Sequence, residues 1–397
     1  MLNILTIIVS LSLVIWIYLL LFRGKFWLSN QRINEQLQPL TQYPSVCAVI
    51  PARNEADVLP ISLKSLLNQD YPGNLFIILV DDQSDDNTGN VAQEIANNCQ
   101  KSQQLQVISG QPLAEGWSGK LWAMKQGIEQ ANKLDNKPDY LLLTDADIEH
   151  HDSNLKELVK QAEIEKLAMT SLMVKLRCDS FWEQFLIPAF VFFFEKLYPF
   201  SWVNNPKNKM AAAAGGCILI RRQILEEIGG IEVVKHALIE DCSLAAAVKA
   251  KLQEDRQNIK QGIWLGLSEK TLSLRPYENL DSIWNMVART AYTQLNYSPL
   301  LLIGTLLGLT IVYLVAPIGL IMGLIIQNTV MTILGGITWL LMSISYLPTL
   351  KLYQCSLLWS LTLPLIGLLY GLMTLDSAWR HWRGKGGGWK GRVYVNS

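Results

Sequence analysis

The chain has 397 residues, 50% of them hydrophobic and 17% charged, which is oily and charge-poor for a water-soluble protein. The 34 basic residues balance the 34 acidic ones, so nothing marks a nucleic-acid binder, and four His leave little for a histidine-built metal centre. Six cysteines (Cys47, Cys99, Cys178, Cys217, Cys242, Cys355) are scattered without a CxxC pair, as expected of reduced, mostly buried thiols in a cytosolic compartment.

Leu2 to Phe22 carries no charge and is long enough to cross a bilayer, which takes ~20 residues. It lacks a basic leader and a small-residue cleavage site, so residues 1–23 read as an anchor rather than a signal peptide. Arg23, Lys25 and Arg32 follow, which predicts an outside N-terminus and a cytoplasmic continuation through a linker at 24–44.

Residues 45–298 then read as a cytoplasmic domain. The runs 45–52, 74–82, 105–110 and 139–147 are short, apolar and β-type. Helical patterns lie between them at 57–69, 87–99 and 118–133, with Asp57 and Asn87 or Thr88 as candidate caps. Strands apolar on both faces, alternating with helices, predict an α/β fold with a parallel sheet and a ligand crevice beyond its carboxyl ends. Neither a G-x-G-x-x-G nor a P-loop pattern stands at the first turn.

The aromatic stretch 180–203 includes Phe192, Phe193 and Phe194, which cannot all face one core, and the charges Glu183, Glu195 and Lys196. It reads as an interfacial segment that guides a lipid, with ordinary core as the alternative. The block 299–375, with Lys351 as its sole charge, divides into spans near 300–326, 329–350 and 353–375. Three spans leave the tail 376–397 outside. Yet Arg380, Arg383, Lys385, Lys390 and Arg392 favour the cytoplasm. Either one segment, broken near Gly335-Gly336, Pro348 or Pro364, is re-entrant or interfacial, or the tail departs from the rule. The Gly386-Gly387-Gly388 run predicts a flexible tail whose Trp389 and Lys390 fold back over the site or lie on the membrane.

The strand ends carry acid: "PARNE" at 51–55, "DDQSDD" at 81–86 and "DAD" at 145–147. Asp145 and Asp147, alternate residues at a strand end, are expected to point the same way. Their hard oxygens suit Mg²⁺ or Mn²⁺, which would remove their mutual repulsion and bind substrate phosphates; the plain alternative is one helix cap and one solvated carboxylate. Further on stand "GWSGKLWAMKQG" (116–127), "AAAAGGCILIRR" (211–222), "IEDCSLAAAVK" (239–249) and "NMVARTAYTQL" (285–295).

In this order the motifs resemble the membrane-anchored, lipid-directed glycosyltransferases of family 2, over nearly the whole chain. Within them the chain is similar to the hopene-associated glycosyltransferases, on "GWSGKLWA", "ARTAYTQL" and "WKGRVY". The resemblance implies a GT-A fold, that is, a Rossmann-like nucleotide-diphospho-sugar transferase domain between N-terminal and C-terminal transmembrane helices. It implies that Pro51, Arg53, Glu55 and Asp82 border the nucleotide, that Lys120 approaches the donor pyrophosphate, and that Asp145 and Asp147 hold donor and metal. Asp241 matches the base that deprotonates the acceptor hydroxyl, with helix capping as the plain alternative. Arg289 stands where the arginine of Q-x-x-R-W stabilises the leaving diphosphate. Here Met286 and Thr290 replace the Gln and Trp, which argues against a processive polysaccharide synthase.

The expected activity is inverting transfer of a sugar, by default from a UDP-sugar, to a membrane lipid such as a hopanoid in the bacterial inner membrane. A polyprenyl phosphate, diacylglycerol or ceramide-like acceptor is the alternative. The non-enzymatic alternative is an inert membrane scaffold that keeps the fold, which the complete acid set opposes.

Overall fold

The computed structural model describes residues 2–254, 261–384, 388–389 and 392–393. The elements run α1 (Leu2–Phe22), β1 (Val46–Ala52), α2 (Leu59–Leu67), β2 (Leu75–Asp81), α3 (Thr88–Asn98), β3 (Leu105–Ser109), α4 (Gly119–Ala131) and β4 (Tyr140–Thr144). Next come β5 (Ile148–His150), α5 (Asn154–Ile164), β6 (Leu167–Lys175), α6 (Phe181–Leu197), α7 (Phe200–Val203), β7 (Cys217–Arg221), α8 (Arg222–Glu227), α9 (Glu240–Glu254) and β8 (Gly262–Ser273). The chain closes with α10 (Leu280–Ala288), α11 (Pro299–Leu309), α12 (Val315–Ile325), α13 (Thr329–Leu352), α14 (Leu363–Trp382), β9 (Gly388–Trp389) and β10 (Arg392–Val393). Of the glycine-rich tail read as flexible, Gly386, Gly387 and Lys390 lie outside the described residues.

Two compact units share the chain. One comprises residues 30–177, 202–275 and 388–397, and the other residues 1–29, 178–201 and 276–387. The first is built on an eight-stranded sheet of order β3-β2-β1-β4-β7-β6-β8-β5. Every residue of β1 and β4 is buried, because helices cover both faces; this is why those strands read as unbroken apolar runs. β3, β2, β1 and β4 are parallel, as the alternation of strands and helices predicts. β7 corrects the expectation of a wholly parallel sheet, for it runs antiparallel to both β4 and β6. Between β6 and β7 the chain contributes residues 178–201 to the other unit, so no single crossover helix fixes its direction of return.

Two expected caps fail. α2 starts at Leu59 behind Val58, and the carbonyl of Glu55, not the side chain of Asp57, takes the Val58 and Leu59 N–H groups. Asn87 holds the N-cap position of α3 in a left-handed conformation with no side-chain capping bond.

α4 lies close on β1 through Gly127, where an added β-carbon would meet Val49 Cγ1 at 2.4 Å. Gly127→Ala is therefore expected to destabilise the domain by about 1–3 kcal/mol despite alanine's better helix propensity, read as a lower unfolding midpoint.

In the second unit the helices are oily. Five stretches are long and apolar enough to cross a membrane: Ile4–Phe22, Phe181–Val203, Pro299–Ile325, Thr329–Leu352 and Leu357–Trp382. The last three follow the spans read from the sequence. Their large apolar side chains stay exposed, as at Leu300 and Leu358, which is the surface a bilayer covers. A π-helical turn, Thr310–Leu314, joins α11 to α12, and the side chains of Ser12 and Trp16 donate to its Ile311 and Val312 carbonyls at 2.7 Å each. On α6, Ser180 and Glu183 form a capping box, and Glu183 also accepts the Tyr277 N–H at 2.7 Å. Ser29 donates to Glu195 at 2.8 Å, and Lys196 donates to the Tyr313 hydroxyl at 2.6 Å. These pairings let a helix with three charges pack among apolar ones. α14 continues to Trp382, so Arg380 is helical and paired with Asp376 at 2.7 Å. Cys47, Cys217 and Cys242 are buried, and the sulfurs of Cys178 and Cys355 approach to 3.4 Å.

Candidate active site

The site forms where strands of the eight-stranded sheet end. "PARNE" leaves β1 and "DDQSDDNT" leaves β2, and backbone and side chains lace the two loops together. Arg53 Nη1 donates to the carbonyls of Asp82 (2.5 Å) and Gln83 (3.0 Å). Asn54 N–H donates to Ser84 Oγ, Glu55 N–H to Thr88 Oγ1 and Ala56 N–H to Asp86 Oδ2, at 2.9 to 3.0 Å. Burial pushes the Asp86 carboxyl up, but hydrogen bonds from Thr88 and Ala56 outweigh it and hold the group below its ordinary value. Asn54 and Gln83 both take left-handed backbone (φ 51° and 57°), which turns the two loops sharply at the strand ends. Pro51 lies within buried β1, Glu55 and Asp82 are buried, and the β-carbon position of Gly110 sits 3.0 Å from Asp82 Cα.

Asp145 and Asp147 do not stand on a strand, as alternation would have it. β4 stops at Thr144, where its pairing with β7 ends at Cys217, and both aspartates lie in the turn leading to β5. Each already faces a protein cation. Lys120 Nζ lies 2.7 Å from Asp145 Oδ1, and Arg275 Nε lies 2.9 Å from Asp147 Oδ2. Arg275 also reaches Glu55 at 3.5 Å, tying the β1 loop to the aspartate turn. Burial and the neighbouring Asp145 push the Asp147 carboxyl up, against the pull of Arg275 and Lys120.

Lys120 is placed by its helix. Ser118 Oγ caps α4 by accepting from Leu121 N at 3.3 Å, which sets Lys120 in the first turn. Its ammonium touches Glu240 (3.2 Å) as well as Asp145. Burial alone would push the ammonium pKa down; Asp145, Glu240 and Asp241 outweigh burial and hold it well above its ordinary range.

Asp241 stands in the first turn of α9. Its Oδ2 accepts the Gly215 N–H (2.8 Å) and its Oδ1 the Cys242 N–H (2.7 Å). Burial, then Glu240, push its pKa up to about 6, against the two backbone donors and Lys120. Gly215, in the small-residue run, adjoins both charged groups: a β-carbon there would lie 3.4 Å from Asp241 Oδ2 and 3.5 Å from Lys120 Nζ.

Thus Pro51, Arg53, Glu55, Asp82, Lys120, Asp145, Asp147 and Asp241 all belong to the sheet-bearing unit. Arg289 does not. It follows α10 in the helical unit, exposed, with its N–H on the Asn285 carbonyl.

Residues 47–229 match the family described as Glycosyl transferase family 2. The chain carries a family 2 glycosyltransferase domain. With its mixed α/β sheet the domain has the GT-A fold. The chain is 28% identical over 260 residues to "Probable glycosyltransferase YdaM" of Bacillus subtilis (strain 168), a stretch that covers 60% of this chain and 56% of that relative. It shares its fold with the mannosyltransferase PcManGT from Pyrobaculum calidifontis, solved in complex with GDP-Man and Mn²⁺. That likeness has a TM-score of 0.55 and 15% identity, over 96% of this chain and 99% of that one.

Neither Glu240, which stands beside Asp241, nor Arg275 is among the residues singled out from sequence. Glu240 shared the "ED" signal. Arg275 had none, for it lies beyond the long strand β8, far in sequence from both carboxylates it meets.

Proposed function

We propose that this glycosyltransferase moves a sugar from a nucleotide-sugar to the hydroxyl of a membrane lipid, with inversion. The observation that carries this reading is the cluster of Lys120, Asp145, Glu240 and Asp241 at the sheet's edge. It offers one carboxylate with a raised pKa next to a cation. In this reading Asp241 takes the acceptor's hydroxyl proton while that oxygen attacks the anomeric carbon, and the nucleoside diphosphate leaves from the opposite face. One base suffices for a single displacement; a carboxylate pair, as in glycoside hydrolysis, is not needed. Pro51, Arg53, Glu55 and Asp82 border the nucleotide, and Lys120 meets charge developing on the diphosphate. Arg289 is assigned to the same leaving group.

Asp145 and Asp147 fit a divalent cation chemically, for both are hard oxygen donors in one turn. Among the described residues no group of three or more His, Cys, Asp or Glu forms a full cage. Two carboxylates with substrate phosphates completing the shell is the usual arrangement for Mg²⁺. When bound, such an ion would neutralise the departing diphosphate.

The five apolar helices, Phe181–Val203 among them, support a lipid acceptor within the membrane. In this reading the sheet-bearing unit is cytoplasmic, and 180–203, read from the sequence as interfacial, is itself long and apolar enough to cross. The sequence resemblance favours a hopanoid; a polyprenyl phosphate, diacylglycerol or ceramide-like lipid is the second choice. The test is nucleoside diphosphate release by the purified protein in detergent with UDP- and GDP-sugars and a total lipid extract. Release is expected with Mn²⁺ or Mg²⁺ and is expected to fall at least about 100-fold with EDTA. Undiminished release in EDTA would remove the metal from the reading.

A further inference from the structure

Behind the acids lies a buried polar chain that the reaction does not consume. Thr144, the last residue of β4, donates its hydroxyl to the Gly216 carbonyl at 2.8 Å. Its proton thus committed, Thr144 Oγ1 faces His150 Nε2 at 3.0 Å as an acceptor, so that nitrogen carries the hydrogen. His150 Nδ1 is then left to accept from Asn154 Nδ2, also at 3.0 Å. Asn154 Oδ1 accepts from Thr271 Oγ1 at 3.2 Å, and Thr271 meets Ser268 Oγ at 3.0 Å. All five side chains are buried. A neutral histidine in one tautomer satisfies the chain throughout.

The direction of this chain matters. It starts on β5, β8 and the head of α5, which are fixed by the sheet, and ends on Gly216. Gly215, the next residue back, gives its N–H to Asp241. The preceding Ala214 is held separately, its N–H donating to Ser171 Oγ at 2.9 Å. Gly215 and Gly216 have no side chains of their own to fix them, so the Gly216 carbonyl is the sheet's hold on the glycines themselves, beside the Cys217 N–H that closes the turn on the Ala214 carbonyl at 3.3 Å.

We propose that Thr144 and His150 are positioning residues, which hold the Gly215–Gly216 turn so that its N–H stays on Asp241 and the base keeps its aim. This rests on reading Asp241 as the base. Neither residue touches substrate. Thr144 itself is fixed by the β4 ladder, so removing its hydroxyl takes one hold from the glycine turn, which keeps its Ser171 and Cys217 bonds, and leaves Asp145 in place.

The test compares Thr144→Val and Thr144→Ser in the full chain, purified in detergent. The valine is nearly isosteric but lacks the hydroxyl; the serine keeps it. T144V is expected to lower kcat about 10- to 100-fold with donor KM changed less than about threefold. It is also expected to move the acid limb of the kcat profile upward, since a hydrogen bond that favours the charged carboxylate is weakened while Glu240 and Lys120 still face it. T144S is expected to keep both the rate and the limb. If T144V does not fold, Thr144→Ala against T144S carries the same comparison. Wild-type kcat in the hydroxyl-free variant, or a lost rate with an unmoved acid limb, would overturn the proposal. Asp241→Asn separates the two readings: if that variant still transfers sugar, the base assignment fails and the positioning proposal with it, whereas an inactive Asp241→Asn beside a fully active T144V overturns the positioning alone.

Discussion

Asp241→Asn is expected to cut the transfer rate by about 10²- to 10⁴-fold, the ordinary worth of a positioned general base. The carboxylate accepts one backbone N–H on each oxygen and keeps a lone pair on each for the acceptor's proton. The amide has no such base. It also sets an N–H₂ against one of those donors, which costs about 1–3 kcal/mol of stability and is visible as a lower unfolding midpoint. The pH dependence has a definite sign. Because burial and Glu240 raise this pKa from 3.8 to about 6, the base is lost as pH falls through about 6, well above an ordinary aspartate. Stability runs the other way. The folded state binds this proton more tightly than the unfolded chain, so the contribution is full below about 4 and gone once pH has risen through about 6. A kcat profile whose acid limb falls near 4 would contradict the assignment.

Lys120→Met is the second large effect. The ammonium stands among Asp145, Glu240 and Asp241, and its side chain is only 15% exposed. Removing one partner of a buried ion pair costs ~3–5 kcal/mol; Asp145 and Glu240 are 32% and 25% exposed, so solvent relieves part of this and about 2–3 kcal/mol is expected. The acid limb of the rate profile should also rise, because Lys120 lowers the Asp241 pKa. Donor KM should increase as the charge facing the diphosphate is lost. Thermal unfolding and a donor titration on the same preparation check both. A variant with wild-type midpoint and donor KM would mean that Lys120 is of no consequence to the site.

Both effects concern residues legible from sequence, and the reason is local. Asp82, Asp145 and Asp241 announce themselves because each stands where an apolar strand ends or a helix begins, and those boundaries are written in composition. The four strands β1 to β4 and three helices α2 to α4 were readable for the same reason, within a few residues. What depended on distant pairing was not. β7 runs against its neighbours because of where the chain re-enters the sheet, and nothing in "CILIR" encodes direction. The two aspartates lie in a turn, not on a strand, since the length of β4 is set by its partner β7. Arg275 reaches Glu55 and Asp147 from more than a hundred residues away. The polar chain through His150 joins β4, β5, α5 and β8, which only the fold brings together, and burial there lowers the His150 pKa to about 4.

The most direct measurement follows a labelled sugar from its nucleotide into lipid. Purified protein in detergent would be incubated with labelled UDP- or GDP-sugar, Mn²⁺ and a bacterial lipid extract, then partitioned into organic solvent and weighed by mass spectrometry. The account predicts label in the organic phase as a glycolipid of one added sugar, absent with Asp241→Asn. Donor bound in a metal-dependent way, with no label entering any lipid offered, hopanoids and polyprenyl phosphates included, would contradict it.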